Sequence, residues 1–315
     1  MRPPFPEYVQ FFPTLKCNRR CSFCFNRGIT QTEEISIRDF GRLAGILSAG
    51  GIAEIDLLGG EPTLHPGIIR LLEITREHRL RANLSTNGSN VPLLESISKT
   101  FGADFLKTGI SLNEATVSHE LHEYIIRHRP LLKSLCRKGK TLPAPALTYL
   151  GTPGIHYYLL YLDTISRNDL PDSLPFPDFY RQLQILRSRH ENIEGVFCSG
   201  FIPDRKQYPL LRRARCPAGT TKLSILPDGS VYPCYLFFRR RDFRLGNLFE
   251  DDFSVIWENP LLDYFRAFTK NNCVDARCEL QDECHGGCPA VSLLITGDLN
   301  APDPRCSAVG RQVVM

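Results

Sequence analysis

Cysteine is the residue whose spacing says most about this chain. Near the amino end, Cys17-x₃-Cys21-x₂-Cys24 offers three thiols from one short loop, with Phe23 just before the last. A closed zinc or iron–sulfur site normally takes four protein ligands. Three thiolates leave one coordination corner open, and an open corner is where a substrate or cofactor can bind. Further on, Gly59-Gly60-Glu61-Pro62 joins two glycines to a carboxylate. Paired glycines let backbone approach a ligand closely, and a carboxylate pairs with an ammonium. A second cysteine system occupies the last third: Cys216, Gly229-x₄-Cys234, then Cys273-x₄-Cys278-x₅-Cys284-x₃-Cys288, and finally Cys306. The run His285-Gly286-Gly287-Cys288-Pro289 suits a backbone that folds tightly about sulfur.

These residues need a scaffold, and the pattern between them alternates strand and helix up to about residue 205. A strand over residues 8–14 delivers the triplet from its carboxyl end. Ser36 is placed to cap a helix over residues 37–49, and Gly50-Gly51 to stop it. Residues 54–58 read as a short buried strand running into the Gly-Gly-Glu-Pro turn. There follow a helix over 68–80, a strand over 81–85 ending at Thr86-Asn87-Gly88, a helix over 92–101 and a strand over 104–112. A long helical stretch is expected from His119 through Arg137, broken or kinked at Pro130. In that stretch Cys136 lies on an apolar stripe with Leu131, Leu132 and Leu135 and reads as core. For the fifth strand, residues 146–150 and 157–164 both qualify. A helix over 176–189 leads to a sixth strand over 193–198. Six β-α repeats imply a parallel sheet with right-handed crossovers, curled into a partial (β/α)₆ TIM-like barrel of the α/β class. Chemistry belongs at the carboxyl ends of its strands, where Cys17, Cys21, Cys24, Gly59, Gly60, Glu61 and Asn87 all map. The expected division is a barrel over 1–205 and a small Cys-rich iron–sulfur domain over 206–315.

The triplet with its aromatic, followed one β-α unit later by Gly-Gly-Glu-Pro, resembles the signature of radical S-adenosylmethionine (SAM) enzymes. The resemblance implies that Cys17, Cys21 and Cys24 take three irons of a [4Fe–4S] cluster, the fourth iron being chelated by the amino and carboxylate groups of SAM. It also implies that the Gly59-Gly60-Glu61-Pro62 turn holds the methionyl amino group and that Asn87 adjoins it. Ser111 would contact the methionine or ribose portion, and Arg127 or Arg129 would neutralise the SAM carboxylate. Read as residues alone, Asn87 is equally a turn partner of Gly88, and either arginine equally a solvated helix face. The later cysteines look like the SPASM extension, a seven-cysteine module that holds auxiliary [4Fe–4S] clusters. The 12 residues between Cys216 and Gly229 match its pattern, as do the x₅ and x₃ spacings. The four residues between Cys273 and Cys278 depart from the usual two, a loop insertion of small entropic cost. The resemblance implies a distal cluster on Cys273, Cys278, Cys284 and Cys306, and a proximal one on Cys216, Cys234 and Cys288. Cys198 is a candidate fourth ligand for the latter; the bland reading makes it a buried thiol. Structural zinc is the rival, although seven sulfurs do not fill two four-thiolate sites unless His285 supplies the eighth ligand.

Composition narrows the remaining classes. A net charge of +4 on 315 residues does not argue for nucleic acid, and the arginines at 212, 213, 215 and 239–241 have little aromatic interleaving. They read as solvated charge that partly offsets thiolate-ligated clusters. No apolar run suggests a membrane span, and the first residues lack a signal-peptide layout. Twelve cysteines then point to metal ligation in a reducing cytoplasm. The resemblance implies reductive cleavage of SAM to a 5′-deoxyadenosyl radical that removes hydrogen from an unactivated C–H bond. A flavodoxin or ferredoxin would supply the electron, and the auxiliary clusters would accept one back or bind substrate. Oxidative modification of a peptide is the leading expectation. Tailoring of a small-molecule or tetrapyrrole intermediate is a second reading, and a non-catalytic iron–sulfur carrier a third. The Gly-Gly-Glu-Pro turn speaks against a carrier, which has no reason to bind SAM. With the triplet beginning at residue 17, a separate protein is expected to bind any leader peptide. Sulfatase-maturing relatives carry an aspartate directly after the cysteine matching Cys234; Tyr235 stands here and lowers that reading. Tyr149, Tyr157, Tyr158 and Asp163 are candidates to line a pocket, with packing as the default for the aromatics.

Overall fold

The computed structural model describes residues 5–6, 8–29, 33–139, 142–196, 216–268, 272–273 and 275–306. In chain order it contains β1 (Tyr8–Phe11), α1 (Ile37–Ala49), β2 (Glu54–Leu57), α2 (Ile68–Glu77), β3 (Arg81–Thr86), α3 (Val91–Thr100), β4 (Leu106–Ser111) and α4 (His119–His128). There follow β5 (Leu131–Cys136), α5 (Ala144–Tyr149), β6 (Tyr157–Tyr161), α6 (Phe176–Arg187) and β7 (Ile193–Val196). The last part holds β8 (Lys222–Ile225), β9 (Ser230–Tyr232), β10 (Gly246–Asn247), α7 (Phe253–Trp257), α8 (Leu261–Ala267), α9 (Gln281–Cys284) and α10 (Pro289–Thr296). Among the described residues, no helix is long and apolar enough to cross a membrane.

Two compact units divide the chain: residues 1–110 with 200–267, and residues 111–199 with 268–315. In the first, strands run in the order β10-β9-β8-β1-β2-β3-β4. The β8-β1-β2-β3-β4 stretch is parallel, with Phe11 paired to Leu57 on one side and to Ile225 on the other. β1 and β2 are buried along their whole length, as expected for parallel strands covered on both faces. α1 starts where the Ser36 hydroxyl accepts the Asp39 N–H at 3.0 Å. It buries Phe40, Leu43, Ala44 and Leu47, one helical stripe, and ends at Gly50. In the second unit β5, β6 and β7 are parallel, with Leu132 opposite Tyr157 and Tyr157 opposite Ile193. The α/β class and the parallel sheet expected from the sequence are both present.

One predicted element is wrong in kind. Residues 119–137 do not form a kinked helix: α4 stops at His128, Arg129 turns left-handed with φ 48°, and Pro130 prevents continuation. The chain then runs as β5, and Leu131, Leu132 and Leu135 belong to a strand. Periodicity cannot separate a short apolar run in a buried strand from one in a helix. Cys136 is core, as read, but from β5; burial pushes its thiol up to about 12. Of the two candidates for the fifth strand, residues 144–149 are helical (α5) and Tyr157–Tyr161 is the strand β6. The parallel pairing of β8 with β1 was not foreseen, because nothing local in Lys222–Ile225 names its partner. Cys198 lies outside the described residues.

Candidate metal centre

The triplet occupies a loop that leaves the carboxyl end of β1 and consists of turns. Cys24 N–H donates to the Cys21 carbonyl at 3.1 Å, and Arg27 N–H to the Cys24 carbonyl at 3.2 Å. Cys17 is exposed, while Cys21 and Cys24 are half-buried. Burial pushes the Cys24 thiol up, and the neighbouring Cys17 thiol adds to that; the Asn26 backbone N–H, Arg239 and Arg27 oppose it.

The turn after β2 is built onto this loop. Gly60 N–H donates to the Thr14 carbonyl at 3.0 Å, and Glu61 N–H to the Lys16 carbonyl at 2.8 Å, one residue before Cys17. Both glycines are required by this approach: a methyl group at either would run into carbonyl oxygens of residues 14–16, and Gly59 also has φ 146°. Asn26, two residues past Cys24, donates its amide to the Gly59 carbonyl at 2.8 Å and closes the loop from the other side. Glu61 is almost fully buried yet well satisfied. Its Oε1 accepts the Thr63 N–H and the hydroxyls of Thr63 and Thr86, and its Oε2 accepts the Asn87 N–H at 2.6 Å. Glu61 thus pins the end of β3 to the end of β2. The Asn87 side chain donates to Asn18 at 2.8 Å, and Asn18 to Ser89 at 2.8 Å. The structure brings together the triplet, the Gly-Gly-Glu-Pro turn and Asn87.

Sequence reasoning missed Asn18, Asn26, Thr86 and above all Arg239. The Arg239 guanidinium donates to the Phe25 and Arg27 carbonyls, which flank the end of the triplet loop. Tyr235, next to Cys234, packs on Phe25 with ring centroids 4.5 Å apart, and Phe25 meets Phe12 edge-on. Tyr235 is itself buried, with the Lys222 ammonium 5.6 Å from its ring centre. The segment carrying Cys234 therefore clamps the loop carrying Cys24. No spacing rule flags a contact between residues more than 200 positions apart.

In the second unit Cys273, Cys278, Cys284, Cys288 and Cys306 are all half-buried. Burial pushes the Cys284 thiol up to about 12, with Asp303, Cys306 and Cys273 adding to the effect and Arg305 opposing it. The four-residue gap after Cys273 is taken up in a turn: Asp275 accepts the Arg277 N–H, and the Gln281 side chain donates to the Asp275 and Ala276 carbonyls. Ser111, at the end of β4, and the exposed Arg127, in the last turn of α4, belong to this unit. Tyr157 is fully buried and shares a hydrogen bond with Ser134; burial raises its phenol far above the usual range. It is packing. Tyr149 accepts or donates to His122 at 2.9 Å and, with His119 and Thr148, lines an open cavity of about 570 Å³.

The donor sets are made of soft thiols, which select zinc or iron–sulfur groups over hard cations. Among the described residues, no three Cys, His, Asp or Glu side chains converge to the spacing of one bare metal ion. Comparison with known proteins narrows the choice. A family model described as the radical SAM superfamily matches residues 11–131, and one described as an iron–sulfur cluster-binding domain, SPASM, matches residues 216–289. The antilisterial bacteriocin subtilosin biosynthesis protein AlbA of Bacillus subtilis (strain 168) is 25% identical over 316 residues, spanning 90% of this chain and 67% of AlbA. A PqqA peptide cyclase of Methylobacterium sp. (strain 4-46) is 25% identical over 325 residues, 93% of this chain and 84% of the cyclase. In fold, the chain is similar to Streptococcus suis SuiB bound to precursor peptide SuiA, with a TM-score of 0.74 and 19% identity, over 96% of this chain and 76% of SuiB.

Proposed function

We propose, from the premise that this chain is a radical SAM protein with a SPASM extension, that it matures a peptide by oxidative modification of an unactivated C–H position. The observation that carries the reading is the bonding of the Gly-Gly-Glu-Pro turn to residues 14–16, which sets that turn beside three thiols from one loop. The names of the relatives, a bacteriocin biosynthesis protein and a peptide cyclase, support a peptide as substrate. When bound, a [4Fe–4S] cluster and SAM supply one-electron cleavage of the sulfonium and the hydrogen-abstracting radical.

The chain's own residues do the positioning. Cys17, Cys21 and Cys24 would hold three irons and leave the fourth to the amino and carboxylate groups of SAM. Glu61, saturated by Thr63, Thr86 and the Asn87 N–H, ties the turn that bears Gly59 and Gly60 to the end of β3. Pro62 starts the short turn that follows. Asn87 is held by Asn18, beside Cys17. Ser111 and Arg127 would meet the remaining parts of SAM. Cys273, Cys278, Cys284 and Cys306 would hold one auxiliary cluster, and Cys216, Cys234 and Cys288 a second, within a domain over 206–315 that follows a barrel over 1–205. When bound, such clusters would supply one-electron redox chemistry or an open iron for substrate. A flavodoxin- or ferredoxin-type donor, a separate leader-peptide-binding protein and a cytoplasmic, reducing location complete the reading of an oxidoreductase.

Anaerobic incubation of the reconstituted chain with SAM and dithionite tests the first half: 5′-deoxyadenosine should form. Addition of a short precursor peptide encoded beside its gene tests the second, by a mass loss matching removed hydrogen. Turnover of a small metabolite with no peptide modified would instead favour the cofactor-tailoring alternative.

A further inference from the structure

Asp303 and Arg305 form a fully buried ion pair in the second unit, 2.6 Å between Arg305 Nη2 and Asp303 Oδ2. A second bond joins Arg305 Nε to Asp303 Oδ1 at 2.9 Å. The carboxylate also accepts two backbone groups, the Cys288 N–H at 2.9 Å and the Arg305 N–H at 2.9 Å. The free edge of the guanidinium donates to the Leu162 carbonyl at 2.7 Å, one residue past the carboxyl end of β6. Its plane lies over the Tyr161 ring, 4.4 Å from the centre. Gly287 packs so tightly on Asp303 that a side chain there would collide with the carboxylate. Cys306 follows Arg305 directly, and its N–H donates to the Asp303 carbonyl at 2.9 Å. Sealing two charges away from water is costly unless every lone pair and proton is met, and here the carboxylate is met by four donors. A pair of apolar residues would fill the space as well, but it would tie neither Cys288 nor Cys306 to β6.

We propose that Asp303–Arg305 is the positioning element of the auxiliary-cluster segment. It docks the chain bearing Cys288 and Cys306 onto the carboxyl end of β6 and keeps one fixed guanidinium beside the cluster thiolates. The inference rests on the reading of Cys284, Cys288 and Cys306 as cluster ligands. Because the triplet has its own supports in the other unit, losing the pair should leave the SAM cluster intact.

The test uses the full chain, reconstituted anaerobically. Arg305→Gln should lose the iron of one cluster, about four atoms, while the SAM-cluster electron paramagnetic resonance (EPR) signal and 5′-deoxyadenosine formation stay within about twofold of wild type. Arg305→Lys, which keeps the charge and can still pair with Asp303 through a single ammonium, should recover part of the iron. Wild-type iron content in Arg305→Gln, or no recovery in Arg305→Lys, overturns the proposal. Should Arg305→Gln not fold, Asp303→Asn decides: with the guanidinium left unbalanced, the auxiliary couple should shift to more positive potential, and an unshifted couple overturns the proposal. Cys284→Ala distinguishes the underlying reading, because unchanged iron content in that variant removes Cys284 from the ligand set altogether.

Discussion

The heaviest demands in this chain fall on single residues. Cys24 is expected to be indispensable: Cys24→Ala should abolish 5′-deoxyadenosine formation, and chromatography of the reaction reads it directly. Glu61 presents a finer case, since its charge is consumed by protein donors rather than left free. In Glu61→Gln one of the carboxylate oxygens becomes an NH₂ that faces either the Asn87 N–H or the threonine hydroxyls. A loss of about 1–3 kcal/mol is expected from that mismatch, visible as a lowered urea midpoint of the apoprotein. SAM binding by calorimetry should weaken with it. Gly60→Ala should do more harm than its size suggests, because the methyl meets backbone carbonyls that cannot swing aside. Cys136 is the contrasting residue: buried in β5 with its thiol near 12, it should resist iodoacetamide in the folded apoprotein while the exposed Cys17 reacts. Mass mapping of the labelled sites checks this.

At the scale of elements, the contact of greatest consequence lies between the triplet loop and the turn Tyr235–Arg239. A loop of turns carries few hydrogen bonds of its own, so its shape depends on what packs against it. Arg239→Ala removes the guanidinium nitrogen that satisfies two half-buried carbonyls, at roughly 1–3 kcal/mol. The expected signature is a SAM cluster that assembles but shows altered EPR and weaker SAM binding, with Arg239→Lys intermediate. A wild-type spectrum in Arg239→Ala would sink this prediction. The same scale holds the one misread element. α4 and β5 are separated by only Arg129 and Pro130, and the apolar residues after them fit a helix stripe as well as a strand. The αL turn at Arg129 ends α4 locally, and the pairing of β5 with β6 is the tertiary fact that makes the residues after it a strand.

For the whole molecule, contacts group the chain into two units, each made of two segments. The chain crosses between units, so that residues 200–267 complete the unit of the triplet while residues 268–315 complete the other. Cys216 and Cys234 thereby fall in one unit, and Cys273, Cys278, Cys284, Cys288 and Cys306 in the other. Iron analysis of the reconstituted chain is expected to exceed what one SAM cluster needs. A Cys17/Cys21/Cys24 triple alanine variant should lose about four irons and retain the auxiliary remainder. Zinc in place of iron after purification without oxygen would contradict the entire assignment.

By itself the sequence determined the chemistry: three thiols with an open corner, a glycine-paired turn bearing a carboxylate, and a thiol-rich carboxyl-terminal third. Those signals survive in one dimension because metal ligation and close backbone approach demand particular residue types at short separations. The α/β alternation was legible for the same reason, since helix caps and buried strands are local. Tertiary structure alone decided that Glu61 spends its charge on the ends of β2 and β3, that Arg239 and Tyr235 hold the triplet loop, and that Arg305 reaches the end of β6. Such contacts join residues far apart along the chain. Their partners are chosen by packing and by the need to satisfy buried charge, neither of which leaves a periodic trace.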